Sequence, residues 1–313
     1  MENKTTFSQK GENNHRHKTF RRNVFAVTLV AFAVSANLIS GCGENSGSTK
    51  SVYDDVKTRG VVRIGTGTTV PPMNYLDSNG QWTGFDVDLG DAIAKKLGVS
   101  VERVNVNNKT RVAFLAAGRI DMTISNLSHT RSRDEQIDYA EPPYLWSGKI
   151  FYAKKGKFKS IKELGGKRIA VDQGSNAFIA APQEIAKHTD IKPEMVSFPS
   201  NTDCFLALKD GKVDAFTQDT PIIAGVAGSE GVDYEPVGVI YSPGLYGIGV
   251  PPNDSRWRDA VSFALQDIIK DGTYEAIYQK WFGETGLFPM PINARPQLPE
   301  SIFGKQNAYV WPD

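Results

Sequence analysis

The chain has 313 residues, of which 40% are hydrophobic and 23% are charged, so it is long enough for a sizeable core and two domains. The formal net charge of +1 is unevenly distributed. Residues 1–42 carry six basic and two acidic residues, or +4, and the remaining 30 basic and 33 acidic residues give −3. This balance excludes nucleic acid as a partner of the chain after residue 42.

The N-terminal 41 residues have the layout of an export signal. A basic segment precedes an apolar run over 24–39, and small residues follow. The run is shorter than the ~20 residues of a membrane-spanning helix, which favours a signal peptide over 1–41. A signal anchor is the alternative.

The end of this segment, Ile39-Ser40-Gly41-Cys42, resembles a bacterial lipobox. The resemblance implies that Cys42 is acylated and becomes the first residue of an exported lipoprotein. A diacylated cysteine is sufficient to anchor a protein stably, so contact with the membrane is expected through the lipid alone, in the periplasm or on the extracellular face. Residues 42–50 are predicted to be a flexible tether, because they are rich in Gly and Ser.

The cysteines and histidines predict neither a disulfide nor a metal site. Lipidation of Cys42 leaves Cys204 without an intramolecular partner, and the helical pattern around Cys204 favours a buried small hydrophobe. The four histidines show no metal-binding spacing. No cofactor is expected.

The exported chain begins with a predicted strand over 61–65 and an amphipathic helix over 84–98, for which Gly98 is the predicted C-cap. A helix over 110–118 then leads into a strand over 119–124. The two predicted helices of 257–281 come later. The tail over 287–313 contains five prolines and is not expected to form a regular element.

A polar strand exit within Asp121–Arg133 has the layout of an anion site. Ser125, Asn126 and Ser128 follow the strand, and Arg133 comes next. Ligands of open α/β sheets bind beyond the carboxyl ends of strands, and an arginine grips a carboxylate through two parallel bonds. A plain turn beside a solvated arginine is the alternative.

The second half of the chain repeats this pattern. A predicted strand over 168–171 is followed by Gln173-Gly174-Ser175-Asn176, which opens a helix whose free amides suit an anion. Another predicted strand ends at Asp219. The sequence therefore predicts polar groups at the ends of strands in both halves.

Four segments resemble the family 3 bacterial extracellular solute-binding proteins, which are the amino-acid receptors of ABC importers. These segments are Gly84–Gly98, Gln136–Tyr144, Lys149–Ala153 and Thr273–Phe282. The resemblance covers residues 51–285. It implies an α/β, two-lobed periplasmic binding protein fold of type II, with a mixed sheet flanked by helices in each lobe and a two-stranded hinge. Lobe 1 is expected over 51–147 and 244–313, including the extended tail, and lobe 2 over 148–243.

The resemblance also implies which residues bind the ligand. The α-carboxylate is expected to contact Arg133, Asn126 and Ser128 from lobe 1, and Ser175 and Asn176 from lobe 2, while Asp219 accepts the α-ammonium. A zwitterion buried between lobes needs one fixed cation and one fixed anion, since an unmet buried charge costs several kcal/mol. Because each lobe supplies half of these contacts, the ligand stabilises the closed state.

Two further positions bear on the ligand side chain. Asn108 and Arg111 resemble the glutamate/aspartate-binding branch, in which a polar residue and an arginine face the side chain. Many members have an acidic residue where this chain has Gly67, and the branch often has a second arginine there. The expected ligand is a polar or acidic amino acid, with glutamate and aspartate preferred. For Arg111 the alternative is a surface charge in the first turn of a helix.

The expected function is therefore that of a monomeric, exported lipoprotein that delivers an amino acid to ABC permease subunits, with no catalytic residues. One alternative is an enzyme similar to the cyclohexadienyl or arogenate dehydratases, in which a pocket carboxylate is the general acid. Beyond Asp219, no spare acidic residue is expected in the pocket. The other alternative is a ligand-sensing domain, which is normally fused to a membrane span and a signalling module; neither is recognised up to Asp313.

Overall fold

The computed structural model describes residues 50–286, 288, 294 and 295. The predicted signal peptide, the lipidation site Cys42, almost all of the tether and most of the tail lie outside these residues. Within them, no helix has the length and apolar character needed to cross a membrane.

Helices and strands alternate along most of the described chain. The helices are α1 Val52–Arg59, α2 Phe85–Leu97, α3 Arg111–Ala116, α4 Arg131–Asp134, α5 Ala177–Ala186, α6 Asn201–Lys209, α7 Thr220–Ala227, α8 Ser255–Lys270 and α9 Thr273–Phe282, with short 3₁₀ helices at Ile161–Leu164 and Gly228–Asp233. The strands are β1 Val61–Thr66, β2 Thr69–Val70, β3 Asn74–Leu76, β4 Trp82–Thr83, β5 Ser100–Asn105, β6 Met122–Thr123, β7 Asp138–Lys154, β8 Arg168–Asp172, β9 Glu194–Phe198, β10 Ala215–Asp219 and β11 Tyr234–Val250.

Eight strands form a mixed sheet in the order β5-β1-β6-β11-β7-β10-β8-β9, and β2, β3 and β4 form a small antiparallel sheet. Strand β1 is parallel to β5 and β6, and β8 is parallel to β9 and β10. The two central strands, β7 and β11, are antiparallel to each other, and each has 17 residues. The parallel strands therefore lie in two groups, one on either side of this central pair.

The buried apolar residues also divide into two regions. The largest cluster joins α2, α8 and α9 to the sheet, whereas two others consist of residues between Ile150 and Tyr241. The predicted lobe boundaries, at 147/148 and 243/244, fall inside β7 and β11. Between positions 237 and 244 the pairing of β11 with β7 shifts register twice, and Ser242 has a φ of 44°.

Helix α2 shows how the sequence forms part of the largest apolar cluster. Phe85, Leu89, Ile93 and Leu97 recur on one face and are buried, and each contributes roughly 1.5–3 kcal/mol of burial free energy. Gly98 ends the helix with a φ of 67°, the left-handed conformation that glycine adopts without strain.

The two regions contact each other beyond the central strands. Ile222 of α7 packs within the largest apolar cluster. A Cβ at Gly225 would lie 2.0 Å from the carbonyl oxygen of Pro71, so only glycine permits the approach of α7 to the loop after β2. The cleft between the two regions is therefore closed.

One predicted strand is shorter than expected. The alternating pattern over 119–124 gives only a two-residue strand, Met122–Thr123, and the Asp121 carboxylate just before it binds Arg59 and Arg63 beside β1. Part of the tail packs as a surface strap: Ala294 accepts a hydrogen bond of 2.7 Å from Trp146 N, and Phe288 stacks on Trp281.

Candidate ligand-binding site

The carboxyl ends of β1, β6, β8 and β10 meet at the cleft, where two hollows lie. The first hollow is lined by residues that include Asn74, Asn108, Arg111, Asn126, Asp172 and Ser200. The second hollow is lined by residues that include Ser128, Ser147, Lys149, Asn176, Asp219 and Tyr246. Both hollows use the segments after β6 and β8, as the polar strand exits predicted.

A buried carboxylate holds the segment after β6 in place. Asp86 Oδ2 accepts hydrogen bonds of 2.7 Å from both Asn126 N and Asn74 Nδ2, and Oδ1 accepts one of 3.0 Å from the Tyr144 hydroxyl. Burial raises the pKa of Asp86 to about 7. Asn126 has a φ of 43°, which asparagine tolerates better than most residues, and Asp86 fixes this conformation through the backbone amide.

Arg111 is a buried cation at the wall of the first hollow. It is only 3% exposed, and its Nη1 donates to the carbonyl oxygen of Ser125. Among the described residues, its Nε has no hydrogen-bond partner. Burial, and then the charge of Arg133, lower the pKa of Arg111 to about 9, so it remains charged at neutral pH. The alternative of a solvated surface charge is therefore wrong for Arg111.

Asp172 closes the opposite side of the first hollow. Its Oδ2 accepts hydrogen bonds from Asn108 Nδ2 at 2.7 Å and from Asn201 Nδ2 at 3.2 Å. The bond to Asn108 crosses the cleft, and Gly174, with a φ of 76°, permits the close approach, since a Cβ there would lie 3.2 Å from Asn108. Burial raises the pKa of Asp172 to about 7, although Arg111 opposes this rise.

The second hollow contains a buried ion pair. Lys149 Nζ lies 2.8 Å from Asp219 Oδ1, and the Tyr246 hydroxyl donates to Asp219 Oδ2 at 2.6 Å. Lys149 and Asp219 are 2% and 4% exposed. Asp219 therefore lies at the predicted place, but both of its oxygens already accept hydrogen bonds.

Ser128 and Arg133 are adjacent to this pair. Ser128 lines the second hollow, and its carbonyl oxygen accepts hydrogen bonds from Arg133 Nη1 at 2.7 Å and from the Tyr139 hydroxyl at 3.1 Å. Burial lowers the pKa of Arg133, while the Tyr139 hydroxyl and the Asp219 carboxylate raise it. The described residues that line the two hollows do not include Arg133.

Ser175 and Asn176 open α5 on the other side of the cleft. Asn176 is the N-cap residue and lines the second hollow. The Ser175 hydroxyl accepts a hydrogen bond of 3.2 Å from Ala177 N and so stabilises the start of the helix. Among the described residues that line the two hollows, Ser175 does not occur. The structure thus brings Asn108, Arg111 and Asn126 to the first hollow, and Ser128, Asn176 and Asp219 to the second.

Residues 62–284 match the bacterial extracellular solute-binding proteins, family 3. The chain belongs to this family. Among its relatives is the ABC transporter glutamine-binding protein of Bacillus subtilis (strain 168), which is 28% identical over 277 residues, or 84% of this chain and 98% of the relative. The predicted family is therefore confirmed for this solute-binding protein.

Solved structures with the same fold include an ancestral arginine-binding protein bound to arginine, which is 37% identical with a TM-score of 0.66 over 72% of this chain and 99% of that one. An ancestral amino acid-binding protein described as a precursor of cyclohexadienyl dehydratase is 30% identical, with a TM-score of 0.66 over 74% of this chain and 99% of that one. These similarities confirm the two-lobed type II fold. The relatives are amino-acid-binding proteins of ABC transporters.

Several residues that line the hollows of this solute-binding protein escaped the sequence-based prediction, among them Asn74, Lys149, Asp172 and Tyr246. Asp172 directly follows the apolar strand residues 169–171, so the strand-exit pattern that indicated Ser125 and Asp219 applies to it as well. Lys149 is a charged residue within a strand of mostly buried residues, which is itself a signal. Nothing in the sequence indicates Asn74, which is brought to the site by Asp86.

Proposed function

We propose that this protein is an exported lipoprotein of an ABC importer and that it binds a polar or acidic amino acid between two lobes. In this proposal lobe 1 comprises residues 51–147 and 244–313, and lobe 2 comprises 148–243. The family membership supports transport, and the relatives support an amino acid as the ligand.

The first hollow supports the proposal that the ligand side chain is polar or acidic. Arg111 Nε and Asn74 Oδ1 are both buried, and neither has a hydrogen-bond partner in the described part of the chain. An unsatisfied buried polar group costs about 1–3 kcal/mol, and more when it is charged. A ligand side chain that accepts a hydrogen bond from Arg111 removes the cost at Arg111, and a carboxylate or a carboxamide does so; a carboxamide also has an N–H that Asn74 Oδ1 accepts.

Asp172 decides between these two side chains. A protonated Asp172 donates to a ligand carboxylate, whereas an ionised Asp172 accepts from a carboxamide N–H and repels a carboxylate. With its pKa at about 7, both forms are populated at neutral pH. We infer that glutamate or aspartate is preferred below pH 7 and that the corresponding amides compete above it.

The α-carboxylate lies in the second hollow in this proposal. Ser128 and Asn176 line it, and Asn126 and Ser175 are their near neighbours along the chain. Arg133 does not line this hollow, but its guanidinium donates to the carbonyl oxygen of Ser128, which does, and in this proposal it turns to the ligand and provides the positive charge. Asp219 accepts the α-ammonium in addition to its two present bonds, since a carboxylate has about four lone-pair sites.

The proposed partners are the amino-acid ligand and ABC permease subunits. We propose that the protein is a monomer, that it contacts the membrane only through a lipid on Cys42, and that it acts in the periplasm or on the extracellular face.

A dehydratase is the competing function, because one structural neighbour is described as a precursor of such an enzyme. Asp219, the candidate general acid in the second hollow, accepts hydrogen bonds on both oxygens. Asp172 is a second acidic residue in the cleft, where none was expected from the sequence beyond Asp219, and burial raises its pKa to about 7. Because the matching family and the relatives are transport proteins, we propose a binding protein without catalytic residues.

Calorimetric titration of the purified full-length protein with the twenty amino acids tests the proposal. The protein is first unfolded and refolded, so that carried ligand is removed. We expect glutamate or aspartate, or their amides, to bind more tightly than all others. Tight binding of an apolar or basic amino acid would overturn the polar specificity, and binding of none would overturn the proposed function. Turnover of prephenate or arogenate would establish the enzyme instead.

A further inference from the structure

Asp219, the proposed acceptor of the ligand α-ammonium, already has a lysine, Lys149, beside it. Lys149 lies on β7 directly opposite Asp219 of β10 in the antiparallel register, and the two side chains meet at 2.8 Å. The Lys149 ammonium thus already occupies one of the positions from which an ammonium can bind Asp219. Tyr246 holds the other oxygen of Asp219 at 2.6 Å.

The charges of the second hollow decide what this neighbour does. Among the described lining residues, Asp219 is the one carboxylate and Lys149 the one lysine or arginine. The pair is neutral as it stands, and it is buried. A ligand ammonium would have to share Asp219 with Lys149, so it gains less from this carboxylate than it would from an unpaired one. A ligand without the ammonium leaves the neutral pair undisturbed.

We propose that Lys149 serves as the built-in counter-ion of Asp219, so that the site also binds carboxylic acids that lack an α-ammonium. The ligand class is then the free acids that match the amino acid in length and side chain, for example glutarate for glutamate and glutaramate for glutamine. The acids keep the α-carboxylate that Arg133 pairs with, and they keep the group that Arg111 recognises.

The same pair lies at the crossing between the two lobes. Lys149 also pairs with Tyr241 of β11, next to Ser242, Pro243 and Gly244, which line the second hollow. Tyr246 of β11 joins Asp219 of β10 across this crossing. The contacts that a ligand ammonium would have to create are therefore present without it. This inference rests on the proposed function, since it assumes that the ligand's α-carbon lies in the second hollow.

Calorimetric titration of the refolded full-length protein with matched pairs tests the proposal: L-glutamate against glutarate, and L-glutamine against glutaramate. We expect the amino acid to bind less than about tenfold more tightly than the matched acid. A preference of about tenfold or more in the wild-type protein would overturn the proposal. This measurement needs no variant, so it decides the matter even if a substitution prevents folding.

The variant Lys149→Met provides a second test of the proposal. It leaves Asp219 without its counter-ion, so the preference for the amino acid should rise by at least about tenfold. Lys154→Met is the matched control, because Lys154 is an exposed lysine at the end of the same strand; its preference should equal that of the wild type. An unchanged preference in folded Lys149→Met would overturn the proposal.

The titrations distinguish a failure of this inference from a failure of the proposed function. If amino acids bind and the matched acids do not, the receptor function stands and the role of Lys149 is wrong. If the acids bind and no amino acid does, Lys149 acts as proposed but the protein is not an amino-acid receptor. If nothing binds, both are wrong.

Discussion

The two hollows of the cleft differ in how complete they are. The first hollow holds a buried donor and a buried acceptor, Arg111 Nε and Asn74 Oδ1, that have no partner in the described chain. In the second hollow, Asp219 binds both Lys149 and Tyr246, so the charged groups are paired, and the unpartnered polar atom among the described lining residues is the hydroxyl of Ser147. A site with unmet polar groups discriminates strongly, because a wrong ligand leaves the cost of burial unrelieved. A site whose charged groups are already paired tolerates more ligands. We therefore expect specificity to come from the first hollow.

The largest effect should come from removing the guanidinium of the first hollow. Arg111→Met should weaken glutamate binding by about 100-fold, because two charge-assisted hydrogen bonds of roughly 1.5–3 kcal/mol each are at risk. Glutamine, a neutral ligand, should lose about tenfold or less. Calorimetry with both ligands measures the difference.

Arg119→Met is the control, since Arg119 is an exposed arginine just after α3 that lies over the ring of Phe114. It should leave both affinities unchanged. Equal losses for glutamate and glutamine in Arg111→Met would show that the first hollow does not read the charge of the ligand side chain.

The pH dependence of glutamate binding should also come from the first hollow. Burial raises the pKa of Asp172 to about 7, and an anionic ligand beside it would raise this pKa again. Binding of glutamate is then coupled to proton uptake, so its affinity should fall by about tenfold from pH 6 to pH 8. Glutamine affinity should change little.

Asp172→Asn should remove this dependence, because the carboxamide does not titrate in this range. The measurement is a series of titrations at intervals of half a pH unit. A glutamate profile that stays steep in Asp172→Asn would assign the titration to another group, of which Asp86, with a pKa also raised to about 7 by burial, is the first to consider.

The smallest effect concerns the contact that closes the first hollow. Asn108→Ala removes the hydrogen bond of 2.7 Å to Asp172 across the cleft. A single such bond contributes about 0.5–1.5 kcal/mol, so every ligand should bind about threefold to tenfold more weakly. Asn79→Ala, at an exposed turn, is the comparison. Unequal losses among ligands would mean that Asn108 contacts the ligand side chain directly.

Much of the fold was predictable from the sequence because its signals are local. The apolar face of α2 with Gly98 behind it, and the polar exits at Ser125 and Asp219, indicate elements and cleft without knowledge of distant contacts. The burial of Arg111 was not predictable, since a helix start at position 111 is compatible with either a solvated or an enclosed arginine. The pairing of Lys149 with Asp219 depends on the register of β7 and β10, which no pattern within either strand fixes.

The order of the strands has a consequence for how the chain acquires its structure. Strand β11 pairs with β6 at positions 249 and 123, and the strands β8, β9 and β10 all lie between these positions. Their mutual pairings involve shorter separations along the chain, and contacts that close long loops form late. We therefore expect the pairings within β8 to β10, and that of β1 with β5, to be protected in pulsed hydrogen exchange before the pairing of β11 with β6. The sheet of this chain therefore stays incomplete until β11, which lies between its two halves, is available to pair.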